Sequence, residues 1–175
     1  IRNQKKLYFT RALTKVMKLD ELEILRINLS TREITKEPVD LEIVQNYLGG
    51  RGYGVKILYD ELEPGIDPLS EDNKMVVMTG PLTGTISPTS SRYCFVFKSP
   101  LTQKTLNDSH CGGNLGIQLK KSGYYGVILE GKLEKPGYIL IEDDQVKIED
   151  AEQIWGKSVE ESEKSLREKH EKHSI

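Results

Sequence analysis

The stretch Met75-Val76-Val77-Met78-Thr79-Gly80-Pro81-Leu82-Thr83-Gly84-Thr85-Ile86-Ser87-Pro88-Thr89-Ser90-Ser91-Arg92-Tyr93-Cys94-Phe95-Val96-Phe97 decides how this chain is read. It opens with a continuous apolar run, 75–78, bounded by turn formers, which predicts a strand covered on both faces. A second strand is predicted over 92–97. Between them, residues 80–91 hold too much glycine, proline and hydroxyl to be regular structure, and connections of this length are usually functional or disordered. Arg92 stands where the loop meets the strand, so a planar, permanently charged donor sits on a rigid element. Such a group suits bidentate phosphate binding, with charged hydrogen bonds of roughly 1.5–3 kcal/mol each. A surface salt bridge is the competing reading of Arg92.

Working outward toward the N-terminus, Leu25, Ile27 and Leu29 alternate with Arg26 and Asn28, the pattern of a half-buried strand. Ser30-Thr31 turns the chain, and residues 34–39 return as the second strand of a hairpin whose end or exposed edge is marked by Pro38. Asp40 caps a helix with Leu41, Ile43, Val44 and Leu48 at helical spacing. Gly49-Gly50-Arg51-Gly52 interrupts it, and a second helical stretch runs over about 53–62 until Glu63-Pro64-Gly65 and Asp67-Pro68.

Toward the C-terminus, Cys111-Gly112-Gly113 leads into a helix over about 114–121, and residues 124–129 read as a buried strand. Residues 138–141 and 146–148 form a hairpin over Asp143-Asp144. Ile154, Trp155, Val159 and Leu166 share one helical face, and Ser158 with Glu161 makes a capping box. Strands, hairpins and a few helices without strict βαβ alternation place the chain in the α+β class.

The composition limits the function. In 175 residues, 37% are hydrophobic and 30% charged, with no apolar run near the ~20 residues of a membrane-spanning helix, so soluble globular material and no membrane partner are expected. A formal charge of -2 removes the whole-domain electrostatic case for nucleic acid. Cys94 and Cys111 cannot build a four-thiolate iron–sulfur or all-Cys zinc site, and without a secretory signal they read as reduced thiols in the cytoplasm. Ile1 rather than Met opens the chain, and residues 1–18 carry Arg2, Lys5, Lys6, Arg11, Lys15 and Lys18 without an acid. Residues 1–21 are therefore a leader directed to a membrane surface or a tail ahead of a natural start at Met17; the tail is favoured because regular patterning begins only after Met17.

Besides the 80–91 loop, two glycine-bearing segments bear on chemistry. Gly50 and Gly52 open a dinucleotide fingerprint, but the third glycine should stand at 55, which is Val55, and no Gly-Lys-Ser/Thr phosphate loop exists. Ser109-His110-Cys111-Gly112-Gly113 opens a helix, where free N–H groups and the helix dipole favour a phosphate by roughly 0.3–1 kcal/mol. A tight turn without a ligand is the competing reading. A His110–Cys111 nucleophile pair fails because adjacent side chains on an extended segment point apart. Cys94 reads as inert packing.

At these loops a resemblance emerges. It is carried by Leu25-Arg26-Ile27-Asn28-Leu29-Ser30-Thr31, Tyr47-Leu48-Gly49-Gly50-Arg51-Gly52, Gly80-Pro81-Leu82-Thr83-Gly84-Thr85, Pro88-Thr89-Ser90-Ser91-Arg92-Tyr93 and Lys98-Ser99-Pro100-Leu101-Thr102. It continues through Gly112-Gly113, Gly116, Leu119-Lys120, Ser122-Gly123-Tyr124, Glu130-Gly131-Lys132 and Ile154-Trp155-Gly156-Lys157, covering about residues 22–170. In order and spacing the sequence resembles the N-terminal domain of the tungsten-containing aldehyde:ferredoxin oxidoreductase family.

The resemblance implies two β-sheets with flanking helices, a platform over residues 22–175 on which a tungsten bis-pyranopterin (molybdopterin) cofactor lies. Family members oxidise an aldehyde and water to a carboxylate and pass electrons through a [4Fe-4S] cluster to ferredoxin. Arg92 matches the family arginine that contacts the cofactor, and Gly112 a glycine whose backbone approaches it. Arg51, Gly52, His110, Cys111 and Gly113 lie in matched segments and join the implied cofactor-binding set. His110 falls where some members place an asparagine that ligates magnesium between the pterin phosphates; imidazole is a poor ligand for that hard cation. The alignment there needs a one-residue insertion between Thr102 and His110.

The family's cluster cysteines and acid/base residues belong to later domains, so no catalytic residue is assigned here. The sequence also stops ahead of the family's second arginine- and glycine-rich loop, so a C-terminally incomplete domain is expected, a fragment or truncated paralogue inactive alone. Its partners are then the remaining domains or a separate subunit and, through them, ferredoxin. The alternative is a non-catalytic remnant that folds, self-associates and binds no cofactor. Apolar surface meant for missing domains is expected to drive homo-oligomerisation in either case.

Overall fold

In the computed structural model, residues 18–170 are described; all of the basic stretch 1–18 except Lys18 lies outside them. Of the 1–21 tail, Leu19–Glu21 forms one short turn, and Leu19 packs against the core. The alternation around Leu25 and Ile27 becomes β1 (Glu23–Asn28), with both side chains fully buried. β1 pairs antiparallel with β2 (Ile34–Pro38) and parallel with β6 (Tyr124–Glu130). β6 in turn lies antiparallel to β3 (Lys74–Thr79), which is followed by β4 (Tyr93–Lys98) and β5 (Leu106–Cys111). The six-stranded order is β2-β1-β6-β3-β4-β5, and β7 (Gly137–Glu142) with β8 (Gln145–Asp150) forms a separate two-stranded sheet.

Each face of the large sheet buries its own core. From α1 (Leu41–Tyr47) and α2 (Gly50–Glu61), Val44, Tyr53 and Leu58 pack onto Ile24, Val76, Met78, Val96 and Tyr125. The opposite core joins Leu25, Ile27, Tyr124 and Val127 to Leu119 of α3 (Leu115–Lys121) and to Ile139, Ile141, Val146 and Ile148 of the hairpin. The neighbours Tyr124 and Tyr125 alternate into different cores, and a register irregularity where β1 meets β6 puts Tyr124 in the same core as Val127, three residues on.

Asp40 caps α1 as its sequence position predicts, accepting from Glu42 N at 2.8 Å and Ile43 N at 3.1 Å. The capping box of Ser158 and Glu161 opens α4 (Val159–Lys169). Two expectations are corrected, and one strand has no expectation to meet. Ile154 and Trp155 lie in the turn before α4 rather than on its face, and both Trp155 and Val159 are exposed. α2 begins at Gly50 rather than near 53, so the Gly-Arg-Gly segment is the first turn of a helix, not a loop. Residues 106–111 form an edge strand whose polar sequence carries no apolar alternation to reveal it.

The glycines of α2 reflect close packing. A Cβ at Gly52 would stand 2.2 Å from the Tyr47 carbonyl oxygen, and one at Gly54 would stand 2.8 Å from Val96 Cγ2. Gly54→Val is therefore expected to destabilise the fold by about 1–3 kcal/mol, the range for overfilling a packed core. Urea denaturation checks this, and an unchanged midpoint would mean that α2 sits farther from the sheet.

Candidate functional site

At one end of the large sheet, the loop over residues 80–92 and the first turn of α2 enclose an open cavity of about 390 Å³. Met78 and Cys94 reach it from β3 and β4, Leu48 to Arg51 line one wall, and loop residues with Arg92 line the other. The volume lies within the roughly 300–1,000 Å³ of small-molecule sites.

The loop is tied across its own base. Thr83 is buried; its hydroxyl accepts from Gly80 N at 2.9 Å and donates to the Arg92 carbonyl at 2.7 Å. Gly84 N donates to the Ser90 carbonyl at 2.9 Å, and the Ser90 hydroxyl to the Thr85 carbonyl at 3.0 Å. These bonds hold the backbone on both sides of Arg92. None of the ion pairs among the described residues involves its guanidinium. The side chain instead lies along Gly112, where an added Cβ would be 3.9 Å from Arg92 Cδ, Nε and Cζ.

The opposite wall presents a helix N-terminus. Gly49 occupies the cap position of α2 and supplies no side-chain acceptor; the Gly52 N–H donates to the Gly49 carbonyl at 3.1 Å, which leaves the N–H groups of Gly50 and Arg51 and the positive end of the dipole for an anion. Only glycine fits there, since a Cβ at 49 would stand 2.2 Å from the Tyr125 hydroxyl. Arg51 projects from this turn with Nη1 3.7 Å from Asp108 Oδ1, and Asp108 Oδ2 lies 2.8 Å from His110 Nε2. Asp108 thus joins the two cationic-type side chains at the rim.

Behind the cavity, Lys120 is buried, and its ammonium donates to the carbonyls of Gly80 and Pro81, each at 2.9 Å. Desolvation lowers its pKa to about 8. Burial pushes the Cys94 thiol up to about 11, so it is a packing group rather than a thiolate nucleophile.

Of the residues singled out in the sequence, Arg92, Arg51 and His110 line the cavity together. Cys111, Gly112, Gly113 and Gly52 do not line it: Cys111 pairs with Tyr93, Gly112 backs Arg92, Gly113 has a φ of 96° with open space around it, and Gly52 packs on Tyr47. Among the described residues no three His, Cys, Asp or Glu side chains gather to hold a metal, and the His110 position has Asp108 beside it. Asp108 and Lys120 escaped the sequence reading. An edge strand over 106–111 would have put Asp108 on the face of His110, and Gly116 with Lys120 marks the buried side of α3.

At one cavity of this α+β domain stand two arginines and a helix N-terminus, groups of the kind that anions meet. The model of the aldehyde ferredoxin oxidoreductase N-terminal domain matches residues 24–175, and the chain belongs to that family. It is 46% identical over 143 residues to the tungsten-containing aldehyde ferredoxin oxidoreductase of Pyrococcus furiosus, covering 82% of this chain and 24% of that protein. An aliphatic sulfonate oxidoreductase, WOR-like subunit, of the same organism is 34% identical over 137 residues, covering 77% of this chain and 22% of its own. Among solved structures, the active site complex BamBC of benzoyl coenzyme A reductase with 1,5 dienoyl-CoA superposes with a TM-score of 0.83 at 29% identity, over 87% of this chain and 23% of that one. The chain thus spans about a quarter of the length of the curated relatives it matches.

Lys120 gives the site a pH signature. Between about 8 and the ordinary 10.5, the unfolded chain holds a proton that the folded one has shed, so this group's contribution to stability rises with pH. The stability difference between wild type and Lys120→Met is expected to shift toward the wild type between pH 7.5 and 10.5, measured by urea denaturation. A pH-independent difference would contradict the lowered pKa.

Proposed function

We propose that this domain, residues 22–175, is the platform that binds the phosphate ends of a tungsten bis-pyranopterin (molybdopterin) in an enzyme oxidising aldehydes to carboxylates, with ferredoxin as electron acceptor. The observation that carries the reading is Arg92. Its guanidinium is free of ion pairs among the described residues and lines the same open cavity as the uncapped start of α2. Two arginines, of which Arg92 is free of ion pairs, and a helix N-terminus form a donor set that fits phosphate.

When bound, the group supplies the redox chemistry of the metal. This chain's own residues bind and orient: Arg92 and the N–H groups of Gly50 and Arg51 hold anionic oxygens, while Asp108 fixes Arg51 and His110 at the rim. The Arg92 side chain runs alongside Gly112 at ordinary contact distance. His110 offers a magnesium ion only an imidazole nitrogen, so the neighbouring Asp108 carboxylate is the harder donor at that position.

The remaining domains supply the [4Fe-4S] cluster and the contact with ferredoxin, because two cysteines, one of them buried, cannot build a four-thiolate site. The exposed Leu48, Leu82 and Ile86 beside the cavity give those domains, or a second copy of this chain, an apolar surface. Among the described residues no helix is long and apolar enough to cross a membrane, and the free thiols agree with a cytoplasmic enzyme.

The protein as its gene encodes it, produced with tungstate, is expected to carry tungsten and pterin, measured by elemental analysis and by fluorescence of the oxidised pterin. Losing a charged hydrogen bond at about 1.5–3 kcal/mol, Arg92→Met is expected to retain the cofactor at least about tenfold less well. Absence of tungsten and pterin from the wild type, or full retention by Arg92→Met, would overturn the reading.

A further inference from the structure

We infer that Lys120 and Tyr125 form a buried strut fixing the separation of the two cavity walls, and that Lys120 is a positioning residue for the ligand held between them. The ligand part rests on the platform reading above.

The path is continuous. From one wall, the carbonyls of Gly80 and Pro81 accept the Lys120 ammonium at 2.9 Å each. The ammonium lies over the Tyr125 ring, 5.4 Å from its centroid. The Tyr125 hydroxyl then donates to the Leu48 carbonyl of the other wall at 3.1 Å. Tyr125 is anchored where its own carbonyl accepts the buried Thr79 hydroxyl at 2.6 Å. Both walls therefore meet a single pair of side chains, delivered by α3 and β6.

Two features set this apart from ordinary core packing. Leu48 is a non-glycine residue with φ 67° and ψ -76°, a strained backbone that persists only where its surroundings dictate it. Two backbone bonds hold it locally, Leu48 N to the Val44 carbonyl at 2.8 Å and Gly49 N to the Tyr47 carbonyl at 2.9 Å, and the Tyr125 hydroxyl adds the long-range constraint by holding the Leu48 carbonyl, with the Gly49 backbone against the same hydroxyl. The second feature is the charge. Lys120 is 3% exposed, and none of the ion pairs among the described residues includes it. A buried cation met only by carbonyls and a ring is less favourable than an apolar side chain of the same size unless its donors or its charge have a use. Here the donors hold the loop and the charge stands directly behind an anion cavity.

The test uses the protein as its gene encodes it. Lys120→Met fills the volume without donors or charge, Lys120→Arg restores both, and Tyr125→Phe keeps the ring but releases Leu48. Tungsten and pterin retention is read in the folded fraction after gel filtration, and hydrogen exchange is followed over residues 47–52 and 80–92. Retention is expected to fall about tenfold or more in Lys120→Met, to fall severalfold in Tyr125→Phe, and to return to within about threefold of wild type in Lys120→Arg. Exchange is expected to quicken in both walls in either weakening variant. If Lys120→Met does not fold, Tyr125→Phe still decides: quickened exchange in both walls supports the strut, and exchange confined to residues 47–52 overturns it. Undiminished retention in the folded Lys120→Met or Tyr125→Phe protein overturns the positioning role, whatever happens to the melting point. A wild type without pterin defeats the platform reading and the positioning role, while the exchange arm still judges the strut.

Discussion

The pairing of β4 with β5 is the constraint on which the site depends. Tyr93 stands opposite Cys111, Cys94 opposite His110 and Val96 opposite Asp108. Because Cys94 and Val96 face the core under α2, the same face receives His110 and Asp108 and brings them to Arg51. One step before Tyr93, Arg92 meets Gly112 one step after Cys111. A slip of one residue would send Asp108 and His110 to the other face and leave Arg51 without its carboxylate. The polar edge strand also discourages further strand pairing, so the sequence that serves the rim protects the sheet.

α2 is held at both ends, which gives its N-terminus a fixed direction. At its C-terminal end, Glu61 accepts from Arg26 at 2.8 Å and from Lys74 at 2.6 Å, and Glu130 closes the network with both cations. Burial alone would raise the Glu61 pKa, but hydrogen bonds from Arg26 and Lys74 outweigh it and keep the carboxyl below its ordinary range. At the other end, Gly49 sits against the Tyr125 hydroxyl, and mid-helix Gly54 lets the backbone approach β4. A helix fixed this way presents its dipole and N–H groups without reorganising, which is how preorganised donors stabilise a bound anion.

Most of the fold was legible because its elements carry local signatures. The apolar run at 75–78, the Asp40 cap, the hairpin over Asp143-Asp144 and the capping box at Ser158 each follow from a few neighbouring residues. β5 and the true start of α2 were not legible, since a polar edge strand has no apolar period and glycines in a first helical turn read locally as a break. The site divides the same way. Arg92 was visible from its place at a loop–strand junction. Asp108 and Lys120 gain their roles through strand register and through a carbonyl pair some forty residues away, which no local pattern contains.

The most direct measurement is the structure of the cofactor-loaded protein, read at the atoms around Arg92. A phosphate oxygen is expected about 2.7–2.9 Å from the guanidinium, within reach of the Gly50 and Arg51 N–H groups of α2. A cofactor whose phosphates lie elsewhere, with Arg92 paired to a carboxylate from another part of the protein, would contradict it.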